Sequence, residues 1–147
     1  MGAADSRDVT LDISEPLFRL TSESIRLHSN ETLRHQTLSS LIDHRSSRGP
    51  KISGHDSGTL KEHLHSIPSG GSIRLTLNIS KTSAQGLDEV KNLLSRRLDS
   101  ELTVADAISL LLFDYVVEQK TARVMEKLDS HESLSSGQNG FTNGGWN

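Results

Sequence analysis

The chain has 147 residues and a mass of 16.1 kDa, room for one domain or two very small ones. One third of it is hydrophobic and only 3 % aromatic, so the apolar side chains must be concentrated to make a core. No Cys is present, which excludes disulfides, thiol catalysis and Cys-zinc sites, and no run approaches the ~18 apolar residues of a membrane helix.

The opening MGAADSRDVT lacks the apolar stretch of a signal peptide, so a reducing, cytoplasmic location without a membrane partner is expected. From Val9 to Ser14 apolar and polar residues alternate, which predicts a strand over 8–14. A helix is expected at about 15–28, with Pro16 in its first turn and Leu17, Leu20, Ser24, Ile25 and Leu27 along it. Asn30 should end that helix. A further helix follows, capped near Asn30 or Thr32, with Leu33, Thr37, Leu38, Leu41 and Ile42 as its face. Residues 45–71 are rich in Gly, Pro and Ser and read as a linker with one helical turn at Thr59–His65.

The second half is patterned more clearly. Ile73, Leu75, Leu77 and Ile79 point one way and Arg74, Thr76 and Asn78 the other, as in a half-buried strand. Thr82 or Ser83 offers an N-cap for a helix over about 82–98 that buries Leu87, Val90, Leu94 and Leu98. Its outer side carries Lys91, Arg96 and Arg97. Asp99–Leu102 breaks it, and Thr103 caps a second helix, with Asp106 as the reciprocal carboxylate, running from Val104 to about Met125. That helix is apolar nearly all round, so it must be covered on several sides, more than one strand and one helix can supply. Residues 129–147 have no period and read as a disordered tail, where Phe141 and Trp146 are stray aromatics or a docking point.

Val9–Ser14 lies over Leu75–Ser80 at a constant offset of 66, with four identities in six positions. Strand–helix–helix thus occurs twice, over 8–44 and 72–128, divided by the linker 45–71. The strand Ile73–Ile79, the helix Thr82–Leu98, the turn Asp99–Leu102 and the helix from Thr103 resemble the ribbon-helix-helix DNA-binding proteins of the Arc and MetJ type. Residues 8–44 do so more loosely. The resemblance implies a mainly α fold whose two-stranded antiparallel β-ribbon is its only sheet, with two intertwined units. The second helix of each unit then packs on its counterpart. Two units in one chain would be similar to the tandem members of plasmid conjugation and T-DNA transfer systems, folding as a monomeric pseudo-dimer; a homodimer through 72–127 is the other arrangement. The implied role is a DNA-binding transcriptional regulator, or an accessory factor of plasmid and DNA transfer acting with a relaxase or other DNA-processing protein. Its partner is double-stranded DNA.

Physical chemistry supplies the contacts. A two-stranded ribbon fits the major groove, where Arg74 can bond guanine O6 and N7, and Asn78 adenine N6 and N7. Thr76, and Thr10 at the matching place of the first strand, can bond a base edge or pack on a thymine methyl. Lys81, Arg96 and Arg97 are the expected phosphate contacts. The family's phosphate anchor at the second helix falls on Thr103 and the amide of Val104, although Glu101 and Asp106 beside them repel phosphate. In the first strand Asp8 and Asp12 flank Thr10, unfavourable near phosphates although Asp accepts from cytosine N4. Three readings stay open: the first unit contributes mostly fold, Arg7 takes its phosphate contacts, or two chains pair through 72–127.

No catalytic chemistry is expected. His55, His63 and His65 sit in the linker without a rigid frame for a metal, and His28, His35 and His44 are expected on solvated faces. There is no Gly-rich phosphate loop, nucleophile elbow or framed carboxylate pair, so neither enzyme activity nor a cofactor is expected. The balanced charge, 16 basic and 19 acidic side chains, favours one alternative: a non-catalytic helical dimerisation or protein-interaction module, antitoxin- or adaptor-like.

Overall fold

The computed structural model describes residues 5–47, 49–52 and 54–139. In chain order it holds β1 (Ser6–Ile13), α1 (Glu15–Thr32), α2 (Leu38–Arg45), α3 (Gly49–Ile52), α4 (Ser57–Ser66), β2 (Ile73–Ser80), α5 (Lys81–Leu98) and α6 (Val104–Asn139). The chain is mainly helical, and β1 and β2 form a two-stranded antiparallel sheet. It divides into two compact units, 1–116 and 117–147. The second, as far as it is described, is the continuation of α6, with Val124, Met125 and Leu128 exposed. Among the described residues no helix is long and apolar enough to cross a membrane.

Both strands pass directly into helices. Ser14 caps α1 by accepting from the Leu17 N–H at 3.1 Å, and Pro16 in the first turn needs no partner for its missing donor. The helix outlasts Asn30 and stops at Leu33, whose φ of 57° is left-handed and whose N–H turns back to the Ser29 carbonyl. Leu33 is therefore 88 % exposed rather than part of an apolar face. The next cap is Thr37, not Asn30 or Thr32: its Oγ1 accepts from the Ser40 N–H, and Ser40 Oγ accepts from the Thr37 N–H, both at 3.1 Å. In the second half Ser80, the last residue of β2, caps α5 at the Ser83 N–H, two to three residues ahead of the expected Thr82 or Ser83.

The expected linker is folded. Few of its residues are apolar, but Ile52 on α3 and Leu60 on α4 are fully buried, and both helices pack on α5. Asp56 caps α4, and Arg97 of α5 donates to Ser57 Oγ and to the His55 carbonyl, tying the segment down. Gly71 leads into β2 where a side chain has no room: a Cβ there would meet the Ile13 carbonyl oxygen at 2.4 Å.

The core of the first unit surrounds the start of α6. Leu110, Leu111 and Leu112 are three successive residues with no exposed surface, possible only when a helix is covered on every side. Cover comes from Leu41 and Ile42 of α2, Leu87, Val90, Leu94 and Leu98 of α5, and Leu77 and Ile79 of β2. α6 runs beyond the expected end near Met125 to Asn139, into the stretch expected to be disordered. Phe141 and Trp146 lie outside the described residues.

α1 buries a more polar face. Thr21 and Ser24 are buried and donate to the carbonyls of Phe18 and Leu20 in their own helix, at 2.6 and 2.8 Å. His28 is buried too, against the expectation of a solvated face. It stacks on His44 at 5.5 Å and meets the Tyr115 ring edge-on at 5.9 Å, and burial pushes its pKa down.

Candidate nucleic-acid interface

The ribbon register pairs Ser6 with Ser80, Asp8 with Asn78, Thr10 with Thr76, Asp12 with Arg74 and Ile13 with Ile73. Strand side chains alternate between faces, so Val9, Leu11, Ile13, Ile73, Leu75, Leu77 and Ile79 lie on the helix side. Asp8, Thr10, Asp12, Arg74, Thr76 and Asn78 are all exposed on the opposite face. All four expected base-contact residues, Arg74, Thr76, Asn78 and Thr10, thus share one solvated surface.

That surface is bonded within itself. Arg74 Nε and Nη2 donate to the two carboxylate oxygens of Asp12 at 3.0 and 3.4 Å. This hydrogen bond holds the Asp12 carboxyl below its usual range and raises the Arg74 guanidinium, although both side chains are more than half exposed. Asn78 Nδ2 donates to Asp8 Oδ1 at 2.7 Å, and Thr10 and Thr76 bring their hydroxyl oxygens to 3.4 Å at the ribbon's centre. Sequence reasoning weighed Asp8 and Asp12 against phosphate and as acceptors from cytosine N4, and missed these partnerships. The signal was available, since pairing the two strands about Thr10 and Thr76 puts each Asp opposite a donor.

Helix starts flank both edges of the ribbon. Beside β2, Ser39 Oγ of α2 accepts from the Asn78 N–H, and Asp43 Oδ1 accepts from the Ser80 N–H, each at 3.2 Å. Beside β1, Val104 at the start of α6 lines a shallow depression with Arg7, Asp8, Val9 and Asp88. Thr103 and Asp106 form the expected reciprocal cap, Asp106 N–H to Thr103 Oγ1 at 3.1 Å and Thr103 N–H to Asp106 Oδ2 at 2.9 Å. Asp106 also accepts from Ser69 Oγ at 2.6 Å, so a carboxylate occupies the approach to the amides of α6. The start of α2 is capped by neutral Thr37 and Ser40, later in the chain than the expected caps at Asn30 or Thr32.

The remaining expected phosphate contacts scatter. Lys81 is exposed in the first turn of α5, directly after β2, and Arg7 is exposed on β1. Arg97 is engaged with His55 and Ser57, and Arg96 lines a surface hollow with Asp99, Ser100 and Glu101, beyond the last turn of α5. Arg74 thus stands on the solvated face of the ribbon and Lys81 just past its end. Arg7 has the parity of Val9 on the helix side, and Arg96 and Arg97 stand at the far end of an 18-residue helix.

Two of the three linker histidines, His55 and His63, are held by side-chain contacts, and His65 is exposed. His63 is buried, its Nε2 2.8 Å from Ser109 Oγ and its ring 4.7 Å from Phe113, and burial lowers its pKa. His55 Nε2 lies 2.8 Å from Asp114 Oδ1, whose other oxygen accepts from Arg45 Nη2 at 3.0 Å, and Arg45 sits 5.0 Å over the Tyr115 ring. Among the described residues no three His, Asp or Glu side chains are grouped to hold a metal ion. No family model, curated protein or solved structure matches the chain.

Proposed function

We propose that the chain is a tandem ribbon-helix-helix protein that sets its β1–β2 ribbon in the major groove of double-stranded DNA, as a transcriptional regulator or as an accessory factor that shapes DNA for a relaxase. The observation that carries this reading is the solvated face of the ribbon, six polar side chains of which four bear groups that match base edges, bordered on both sides by helix starts.

Support for two equivalent units comes from local features that recur at a spacing of 66 residues. Ser14 and Ser80 cap α1 and α5, each of 18 residues, and Leu33 and Asp99 end them in the left-handed conformation. The Arg34 N–H bonds the Ser29 carbonyl, and the Ser100 N–H bonds that of Ser95. Ser29 Oγ accepts from the Gln36 N–H, and Ser95 Oγ from that of Leu102. Thr37 with Ser40, and Thr103 with Asp106, form the reciprocal caps of the helices that follow. Thr10 and Thr76, also 66 apart, face each other at the centre of the ribbon, where a two-fold relating the units would pass. Such a pseudo-dimer needs no second chain to complete its ribbon.

The test is a titration of labelled, randomised duplex DNA read by anisotropy across a salt series, with light scattering for the mass. A major-groove binder loses affinity with a log–log slope of about −0.9 per phosphate neutralised. A mass of one chain, 16.1 kDa, is expected. Absence of binding at low salt would leave the protein-interaction module as the better reading.

A further inference from the structure

A two-fold through Thr10 and Thr76 exchanges residues 66 apart, so Arg74 takes the place of Asp8, and Asn78 that of Asp12. The backbone of the ribbon obeys this exchange and its chemistry does not. The guanidinium and the amide are on β2, and both carboxylates are on β1. One end of the reading face is a forked cation against a carboxylate, Arg74 with Asp12, and the other is an amide against a carboxylate, Asn78 with Asp8. A palindromic site offers the same base pair to both ends and matches only one of them.

Building on the DNA-binding reading, we infer that this ribbon reads a non-palindromic site, with a G·C pair under Arg74 and Asp12 and an A·T pair under Asn78. A G·C pair presents two acceptors, guanine N7 and O6, beside one donor, the cytosine N4 amino group. The bonded Arg74–Asp12 pair presents the complement, fork donors beside carboxylate acceptors. In an A·T pair thymine O4, an acceptor, takes the place of the cytosine N4 amino group, so Asp12 selects against A·T as Arg74 selects for guanine. Asn78 instead matches adenine, whose N7 accepts and whose N6 donates. The two ends are four residues apart along each strand, ~13 Å at the rise of a strand, which spans about four base-pair steps. The Thr10–Thr76 pair lies over the middle of that interval. The carboxylates also account for a reading surface in a chain with a net charge of −3. They cancel the pull of Arg74 on phosphates in general and leave binding dependent on the matching base pair.

Selection of the full chain against a pool of randomised duplexes reads the site directly, and a second protein tests its origin. Asp8→Arg with Asp12→Asn copies the side chains of β2 onto the exposed face of β1 and restores the symmetry. The parent is expected to enrich an asymmetric site with G·C and A·T about four base pairs apart. The double variant is expected to switch to a palindromic one, with affinity for the parent's site about ten- to a hundredfold lower, the usual cost of a mismatched bidentate contact. A palindromic site selected by the parent overturns this inference and leaves DNA binding standing. Failure of the parent to enrich any duplex overturns DNA binding itself, and the inference with it. Circular dichroism of the double variant, matching the parent, separates a changed preference from a lost fold.

Discussion

Asp114→Ala should be among the most damaging single changes in the molecule, although Asp114 touches nothing proposed to read DNA. Its carboxylate is buried, and so is its partner Arg45: their side chains are 8 % and 7 % exposed, with Nη2 and Oδ2 3.0 Å apart. The other oxygen meets His55 Nε2 at 2.8 Å, which joins the segment between α3 and α4 to α6. Removing one member of a buried pair costs about 3–5 kcal/mol, because the other charge keeps its desolvation and loses its compensation. Against a total of roughly 5–15 kcal/mol for a domain, that is a large fraction of the stability. For a chain of this size the melting temperature should fall by ~10–15 °C. Replacing both partners by apolar residues of similar volume, Arg45→Met with Asp114→Leu, removes both desolvation terms and should recover much of the loss. Urea denaturation of parent, Asp114→Ala, Arg45→Met and the double variant gives the coupling between the two sites. The reasoning fails if Asp114→Ala unfolds at the parent's urea midpoint, or if the double variant is no more stable than Asp114→Ala.

Three further outcomes are expected. Leu111→Ala and Leu112→Ala empty fully buried sites on α6 and should each cost about 2–5 kcal/mol; thermal melts matching the parent would remove α6 from the centre of the core. Ser14→Ala and Ser80→Ala each delete an N-cap bond of about 3 Å and should cost ~1 kcal/mol apiece, so denaturation showing one of them silent would break the equivalence of the two units. Acid should destabilise the fold through His63: its folded pKa lies below the usual 6.5, so the unfolded chain binds more protons in that window and stability falls as pH drops beneath 6.5, levelling out past the lowered value. His28 acts in the same direction, and melts at pH 7.5 and 5.5 should differ less for His63→Gln than for the parent.

What the sequence makes legible here follows from which interactions are local. The alternation in Ile73–Ile79 and the three-and-four spacing of Leu87, Val90, Leu94 and Leu98 are properties of single elements, and each element is there. The Thr103–Asp106 cap is equally local and equally legible. Boundaries in the first half are less so, because α1 buries Thr21 and Ser24, whose hydroxyls its own carbonyls satisfy, and His28, which packs on the rings of His44 and Tyr115. A hydrophobic pattern cannot register a face built that way. The linker was misjudged for a related reason: Ile52 and Leu60 are isolated apolar residues, and only the packing of α3 and α4 on α5 gives them a purpose.

The proposed base-contact residues are legible one by one and illegible as a surface. Arg74 and Asn78 stand out on β2 by their exposure alone, but what they do depends on Asp12 and Asp8, 62 and 70 residues away in the chain. Once the register is known, the carboxylates change meaning. Scattered near phosphates they only repel; bonded to a guanidinium and an amide they remove a general attraction and leave a directional one. On the DNA-binding reading proposed above, the same long-range pairing accounts for a base-reading face in an evenly charged chain. Nucleic-acid binders that advertise themselves by net charge rely on phosphate attraction. On the proposed reading, a ribbon whose cation is held by its own acid binds little until the bonded pair meets the base pair that complements it, so its selectivity rests on the register that brought the two strands together.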